Sequence, residues 1–191
     1  MGCGGFSPIG KTHFSCKKRT CLDGMVCMFR YGSPTKKIIR GLKQDLVKDS
    51  VGLLSLFLAR EIKNLYMFKI WRKANFVFIP VPLHKNRERW RGFNQSALLL
   101  EQVCERLKVK FENDLVLRAR PTKDQTKLKA RQRVENMENA FMVGKGMEEK
   151  IAGKNFIIFD DVKTTGATLN QCAKILKNFG AGSVWGLTLA G

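Results

Sequence analysis

Apolar residues recur at two different spacings along the chain, and each spacing predicts a different kind of element. Helical spacing runs through residues 34–65, where we expect two amphipathic helices that meet near Asp49 and Ser50, with Ser50 as an N-cap. The same spacing returns at residues 93–108 and 167–179. These segments are predicted to be the helices of the fold.

Short apolar runs between the helices predict the strands. The runs at residues 75–80 and 155–159 are nearly continuous, as expected for strands that are buried on both faces. Pro-Val-Pro ends the first run, because proline cannot donate a hydrogen bond to a neighbouring strand. Further strands are predicted at residues 115–117 and 183–190. Strands that alternate with helices indicate an α/β fold in which helices cover a parallel sheet.

The first 28 residues show neither spacing and are rich in Gly, Cys and Lys. They are predicted to form a small module ahead of a single domain that spans residues 29–191. Four of the six cysteines crowd this module, while Cys104 and Cys172 lie in helical patterns and are expected to be small buried apolar residues. The four are Cys3, Cys16, Cys21 and Cys27.

Early cysteines in a chain that does not begin with a secretory signal favour metal binding over disulfides. Three thiolates and one imidazole can complete a tetrahedral structural zinc site. The predicted ligands are Cys3, His13, Cys16 and Cys21. The alternative is a set of unpaired, reduced thiols, since the two close Cys-x-x-Cys pairs of a zinc ribbon are not present.

Charge adds a partner to this picture. Thirty-five Lys and Arg against sixteen Asp and Glu leave a net charge of +19, which predicts nucleic acid or another phosphate-rich partner, with a solubility effect as the alternative. Hydrophobic residues make up 44% of the chain, enough for a packed core. No apolar run reaches the roughly 20 residues of a membrane span, so we expect a cytoplasmic protein without membrane insertion.

The junction between the second buried strand and the last helix carries the most informative motif. Asp160 and Asp161 follow the strand directly, and a turn rich in hydroxyl groups leads into the helix. Such a turn presents backbone N–H groups at the positive end of a helix, which favours a phosphate. Because two acids repel a bare phosphate, the expected ligand is a sugar phosphate or a Mg²⁺–phosphate complex. The alternative is an ordinary N-cap at Thr164 or Thr165.

This junction resembles the 5-phosphoribosyl-1-pyrophosphate (PRPP) binding motif of type I phosphoribosyltransferases, in which a hydrophobic strand precedes two acids and Thr-Gly-x-Thr. The resemblance implies that Asp160 and Asp161 contact the ribose hydroxyls, with Mg²⁺ accompanying the ligand. It also implies that backbone amides and Thr hydroxyls of the following loop hold the 5-phosphate. That loop consists of Lys163, Thr164, Thr165, Gly166, Ala167 and Thr168.

Further motifs resemble those of the ComF family. Pro-Val-Pro-Leu at residues 80–83 is followed by Arg-Gly-Phe-Asn-Gln at residues 91–95, and a spaced Arg-Thr-Gln-Leu-Arg-Asn-Phe pattern occupies residues 118–141. The terminal Gly-Ala-Gly-Ser-Val-Trp agrees as well. The resemblance covers roughly residues 30–191. It implies a type I phosphoribosyltransferase-like protein associated with natural competence, the import of transforming DNA into bacteria, and a zinc-binding N-terminal module.

Basic residues crowd the segments that follow the Pro-Val-Pro turn and the strand at residues 115–117. In the type I fold the loop after the first of these strands faces the pyrophosphate, and the second basic segment corresponds to a lid, so the resemblance implies the same roles here. The residues expected to frame pyrophosphate are His84, Lys85, Arg87, Arg91, Arg118 and Arg133. The alternatives are a solvated turn and a solvated helix face.

The same segments are candidates for contact with single-stranded DNA, because cations follow its phosphates and exposed aromatic rings stack on its bases. Trp90 lies within a run of arginines, whereas burial explains Trp71 and Phe93 at least as well. The candidate residues are Arg89, Trp90, Lys127, Lys129 and Arg131.

Three functions remain open from the sequence. The first is a competence protein that binds PRPP or a nucleotide and single-stranded DNA, with DNA-import machinery or a helicase as partner. The second is a metabolic phosphoribosyltransferase that releases pyrophosphate from PRPP, although no acceptor site is recognisable in the sequence. The third is a module that senses PRPP or a nucleotide without turnover.

Overall fold

In the computed structural model, the residues described are 7, 9–33, 35–37, 48–83, 94–119 and 140–191. Within them, five parallel strands form the main sheet, in the order β1-β7-β6-β2-β3. These strands are β1 (Gly24–Phe29), β2 (Val77–Pro80), β3 (Lys110–Phe111), β6 (Phe156–Val162) and β7 (Val184–Ala190). A separate antiparallel ribbon pairs β4 (Val116–Arg118) with β5 (Phe141–Val143).

The α-helices of the described part of the chain include α1 (Lys48–Asn64), α2 (Tyr66–Lys73), α3 (Gln95–Leu107) and α4 (Ala167–Asn178), and residues 33 and 35–37 are helical as well. Two short 3₁₀ turns occupy Phe14–Cys16 and Glu148–Lys150. None of the helices among the described residues has the length and hydropathy needed to cross a bilayer.

The main sheet separates two apolar clusters, and strand β6 contributes to both. Phe156 and Ile158 pack on the side of α4 and the ribbon. Ile157 and Phe159 pack on the opposite side, against α1, α2 and α3. A strand that is covered on both faces must be apolar at every position, which explains the continuous run seen in the sequence.

Several sequence predictions are confirmed by this architecture. The two continuous apolar runs form β2 and β6, the last run forms β7, and α3 and α4 lie within a few residues of their predicted bounds. Cys104 and Cys172 are fully buried, as expected. The strand predicted at residues 115–117 exists as β4, although it belongs to the ribbon rather than to the main sheet.

The sequence analysis misplaced one helix cap and missed one helix. Ser50 lies inside α1 rather than before it, so the predicted N-cap is wrong; serine is tolerated both at caps and in helical turns, which makes it a weak boundary signal. Helix α2 begins one residue after α1 ends, because Leu65 adopts an extended conformation that breaks the helix. Its buried residues are Met67, Phe68 and Trp71.

Strand β1 was also missed, and it joins the N-terminal segment to the sheet. It lies at the edge and pairs only with β7 among the described strands, so several of its side chains are partly exposed, although residues 25–29 form a continuous apolar run. Its residues straddle the boundary predicted between residues 28 and 29.

Hydrogen bonds hold the residues before β1 against the rest of the protein. Thr12 N–H donates to the Asp23 carbonyl at 2.8 Å. The Asp23 carboxylate accepts from Val184 N–H at 2.8 Å and pairs with Lys177 at 2.8 Å. On α4, the Asn170 side-chain oxygen accepts from Cys21 N–H at 2.7 Å. This part of the chain therefore packs onto β7 and α4.

A substitution at Gly24 tests the packing of this edge. A Cβ added there would lie 2.3 Å from Cζ3 of Trp185, so we expect Gly24→Ala to lower the free energy of unfolding. The expected loss is about 1–3 kcal/mol, as for other overpacked cores. Urea denaturation measures it.

Gly52→Ala is the matched control. Gly52 lies within α1, and an added Cβ there meets no atom within 4 Å. Because Ala favours a helix over Gly by about 1 kcal/mol, this variant should be more stable than the wild type. Equal stability changes in the two variants would contradict the packing of Trp185 on Gly24.

Candidate functional site

The candidate site begins where β6 leaves the core. Its first four residues are buried, whereas Asp160 and Asp161 are half-buried. In the sheet Asp160 lies beside Thr188 of β7, and Asp161 N–H donates to the Asp160 carboxylate at 2.9 Å. The two predicted acids therefore lie together at the carboxyl end of the parallel sheet, where ligands bind in folds of this kind.

The turn after these acids is held in place by backbone bonds. Lys163 N–H donates to the Ala190 carbonyl at 2.8 Å, which ties the start of the turn to β7. At its end, Gly166 has φ +74°, a left-handed conformation that favours glycine, and its carbonyl accepts the Asn170 N–H at 2.9 Å. The turn thus delivers the chain directly into the first turn of α4.

The N-cap of α4 is Gly166, so neither Thr164 nor Thr165 is the ordinary N-cap offered as the alternative. The Thr165 hydroxyl does accept a hydrogen bond from Ala167 N–H at 3.3 Å. Gly166 itself brings no side-chain acceptor to the first-turn N–H groups. A bound anion is the acceptor that helix N-termini favour, which fits a phosphate at this turn.

A second wall of the site comes from the turn after β2. Val81 N–H donates to the carbonyl of Phe159, the residue directly before the two acids, at 2.8 Å. The Asn94 side chain donates to the Val81 carbonyl and accepts from Ala97 N–H, each at 3.3 Å. Asn94 thus caps α3 and is hydrogen-bonded to Val81, so it connects the residues that flank the basic segment 84–93.

The second basic segment, residues 120–139, is closed in a similar way. Ala119 N–H donates to the Ala140 carbonyl at 2.8 Å, and the β4–β5 pairing continues from there, with Arg118 opposite Phe141. The bases of both segments line one cleft of about 170 Å³. Its lining residues are Pro82, Leu83, Asn94, Asn113, Asp114, Val116, Leu117 and Arg118.

The buried thiol of Cys172 on α4 links this cleft to the acids. Burial raises its pKa well above the usual range; the Asp160 carboxylate raises it further and the Arg118 guanidinium lowers it. Both charged groups therefore lie close enough to act on the same thiol. The Arg118 guanidinium also lies over the Phe141 ring, 5.7 Å from its centroid. The ribbon that carries Arg118 packs on α4 through the apolar cluster that also contains Cys172.

Eleven predicted site residues lie outside the described residues, and their roles stay predictions. They are Cys3, His84, Lys85, Arg87, Arg89, Trp90, Arg91, Lys127, Lys129, Arg131 and Arg133.

The zinc site also stays a prediction. His13 precedes the 3₁₀ turn that ends at buried Cys16, and Cys21 is half-buried next to α4. Among the described residues, no three side chains of the kinds that bind metals form a group that could hold an ion. Because Cys3 is not among them, the full predicted set is not tested.

Sequence reasoning missed three residues that build the site. Asn94 could have been found, because an Asn before a helical pattern is a favoured N-cap. Asn170 could not, since its partner Cys21 is 149 residues away along the chain. Cys172 was recognised as buried, but its place in the apolar cluster beside β6 depends on how α4 packs on the sheet.

Comparison with known proteins identifies the family of this chain. The profile of the family described as "Phosphoribosyl transferase domain" matches residues 94–190. "Competence protein F" of Haemophilus influenzae is 32% identical over 179 residues, which cover 91% of this chain and 76% of that protein. The chain belongs to the ComF family of phosphoribosyltransferase-like proteins.

Other relatives agree with the ComF assignment. "DNA utilization protein YhgH" of Escherichia coli K12 is 31% identical over 188 residues, covering 93% of this chain and 78% of that protein. "Competence protein ComFC" of Bacillus subtilis is 35% identical over 125 residues, covering 63% and 47%. The helix-flanked parallel sheet of this ComF chain is the type I phosphoribosyltransferase fold predicted from the sequence.

Among solved structures, a hypoxanthine phosphoribosyltransferase from Staphylococcus aureus superposes with a TM-score of 0.43 at 14% identity. The superposition covers 75% of this chain and 64% of that enzyme. A likeness of this size adds nothing to the family assignment.

Thiol chemistry tests the packing beneath the site. Burial raises the pKa of Cys172, and burial followed by Glu101 and Glu105 raises that of Cys104, so folding keeps both thiols protonated. We expect iodoacetamide at about pH 8.5, the usual thiol pKa, to label exposed Cys27 and spare both buried thiols. Peptide mass spectrometry reads the labelling, and urea should make the buried thiols reactive.

The raised pKa values also set the sign of a stability change. A thiol that ionises more readily in the unfolded chain contributes stability below about pH 8.5, and this contribution is lost as the pH rises further. Native labelling of Cys172 as fast as that of Cys27 would contradict the burial of Cys172 in the core.

Proposed function

We propose that this ComF-family chain acts in the uptake or utilization of DNA and combines a phosphoribosyl-ligand site with a surface for single-stranded DNA. The names of its relatives in Haemophilus influenzae and Escherichia coli support the DNA role. One observation carries the ligand site: Asp160 and Asp161 lie near the carboxyl end of β6, and the turn that follows β6 leads into α4, which is capped by Gly166. The proposed ligand is PRPP or a related phosphoribosyl compound.

The chemistry of these residues fits the two ends of such a ligand. Half-buried carboxylates can accept hydrogen bonds from ribose hydroxyls, and the N–H groups at the start of α4 can donate to the 5-phosphate. Carboxylate oxygens are also the ligands that Mg²⁺ takes beside substrate phosphates, so Asp160 and Asp161 fit the ion. Mg²⁺ would neutralise charge on the pyrophosphate.

Arg118 supports a place for the pyrophosphate. It lines the cleft between the bases of the two basic segments, and its charge reaches the same thiol as Asp160 does. A cation there can stabilise negative charge that develops on departing pyrophosphate, a task of positioning and electrostatics rather than of covalent chemistry. We extend this role to the other five residues that the sequence predicts around pyrophosphate: His84, Lys85, Arg87, Arg91 and Arg133.

Replacing the two acids tests the ligand site. The double variant Asp160→Asn, Asp161→Asn keeps side-chain shape and removes the charged acceptors, so we expect PRPP with Mg²⁺ to bind about 100-fold or more weakly. Isothermal titration calorimetry measures the affinity. The matched control is Glu148→Gln with Glu149→Gln, which removes the same charge from an exposed 3₁₀ turn and should bind PRPP as the wild type does.

Unchanged PRPP affinity in the aspartate variant would overturn the site assignment. Pyrophosphate release by the wild type with a nucleobase or amine acceptor would favour the metabolic transferase. PRPP binding without any release, in a chain that binds no DNA, would favour the sensing module.

Salt dependence tests the DNA surface. A chain with a net charge of +19 should release counterions when it binds a labelled oligothymidylate, so we expect affinity to fall steeply with salt. The slope of log K against log salt should be about −0.7 for each phosphate that is neutralised. Fluorescence anisotropy between about 50 and 200 mM salt measures it. No binding at low salt, or a flat response, would remove the DNA role.

A further inference from the structure

One aromatic side chain is almost completely exposed. Phe14 begins the 3₁₀ turn Phe14–Cys16, and 89% of its surface is accessible to solvent. A phenyl ring in this position contributes little to the core and would gain from a partner that covers it. We call residues 11–19 the N-terminal tip.

Basic residues flank Phe14 on both sides in the sequence. Four exposed cations lie within the tip: Lys11, Lys17, Lys18 and Arg19. The first 22 residues contain no Asp or Glu, and the first acid, Asp23, is paired with Lys177 at 2.8 Å. No carboxylate within this stretch of sequence therefore offsets the charge of the tip.

Hydrogen bonds hold the N-terminal tip in place. The Thr12 hydroxyl donates to the Leu22 carbonyl at 2.7 Å, and Cys16 N–H donates to the His13 carbonyl at 2.9 Å. Behind the tip, Thr20 and Cys21 both donate to Asn170 on α4, at 2.9 and 2.7 Å. A partner that binds the tip orders few additional residues, which lowers the entropic cost of binding.

The composition of the tip favours nucleic acid over protein as its partner. Protein-binding surfaces join several apolar side chains into a patch, as α1 does with exposed Leu53, Leu56 and Phe57. The tip instead isolates one ring among cations, which is the arrangement that stacks a base while lysines and arginines follow the phosphates.

We propose that the N-terminal tip binds single-stranded DNA, with Phe14 stacking on a base and Lys17, Lys18 and Arg19 contacting the flanking phosphates. This inference rests on the proposed DNA function and names the surface that performs it. Because Asn170 anchors the tip on α4, the DNA contact and the phosphoribosyl turn are attached to the same helix.

Substitutions at Phe14 separate stacking from general apolar contact. Phe14→Ala should weaken binding of an oligothymidylate about tenfold, within the range for loss of one base–aromatic stack. Phe14→Leu should lose as much, because Leu has no ring face, whereas Phe14→Trp should retain the affinity. Anisotropy at constant salt measures all three, and circular dichroism should show wild-type melting because the ring is exposed.

Charge substitutions test the phosphate contacts. Replacing Lys17, Lys18 and Arg19 with Gln should make the salt slope shallower by about 2, or 0.7 for each lost contact. The matched control replaces Lys63, Lys69 and Lys73 with Gln, which removes the same charge from exposed positions on α1 and α2. Its slope should equal that of the wild type.

The outcomes separate this proposal from the proposed function. If the wild type fails to bind DNA, both are overturned. If the wild type binds with a steep salt slope but the tip variants bind equally well, only the tip is excluded. Full affinity in Phe14→Leu would mean an apolar contact of the protein–protein type, and a larger loss in the α1–α2 control would move the DNA to that face; either result overturns the tip proposal.

Discussion

Burial of β6 on both faces is the constraint on which the rest of this molecule depends. The strand pairs with β2 on one side and β7 on the other, and apolar clusters cover its two faces. A carboxylate inside those layers would lose its water without compensation. Acids can therefore occupy the strand only where both layers end, and Asp160 and Asp161 lie in that part of β6. The edge of the apolar core therefore determines where the acids of the site lie.

Around those acids, the structure relies on residues that hold segments rather than on residues that touch a ligand. Asn94 closes one basic segment and the β4–β5 pairing closes the other. The entropic cost of closing a loop rises slowly with its length, so a few hydrogen bonds between the flanking residues are enough to accommodate a long inserted segment. Asn94 and strand β4 line the same cleft, so the two basic segments begin close to each other.

The sequence predicted the parts of the structure that depend on residues close together in the chain, and it did not predict contacts between distant segments. The strand, turn and helix from Phe156 to Asn178 are local, so the apolar run, the paired acids and the glycine predicted them. The β4–β5 ribbon packs on α4 through a shared apolar cluster, and no local sequence pattern contains this contact. The apolar run at residues 25–29 was a local signal for β1 that the sequence analysis overlooked, whereas its pairing with β7, far along the chain, is in no local pattern.

The pairing of β1 with β7 has a consequence for biosynthesis. The chain is made from its N-terminus, so β1 leaves the ribosome long before β7 exists, and in the finished sheet β7 lies between β1 and β6. The N-terminal edge strand must wait without its partner while the central strands and helices are made. Pairing of distant segments is slow, and strand edges that wait for a partner are prone to aggregation. Completion of this sheet therefore waits until β7 has left the ribosome, and a nascent chain halted before Val184 would leave β1 exposed to other partners.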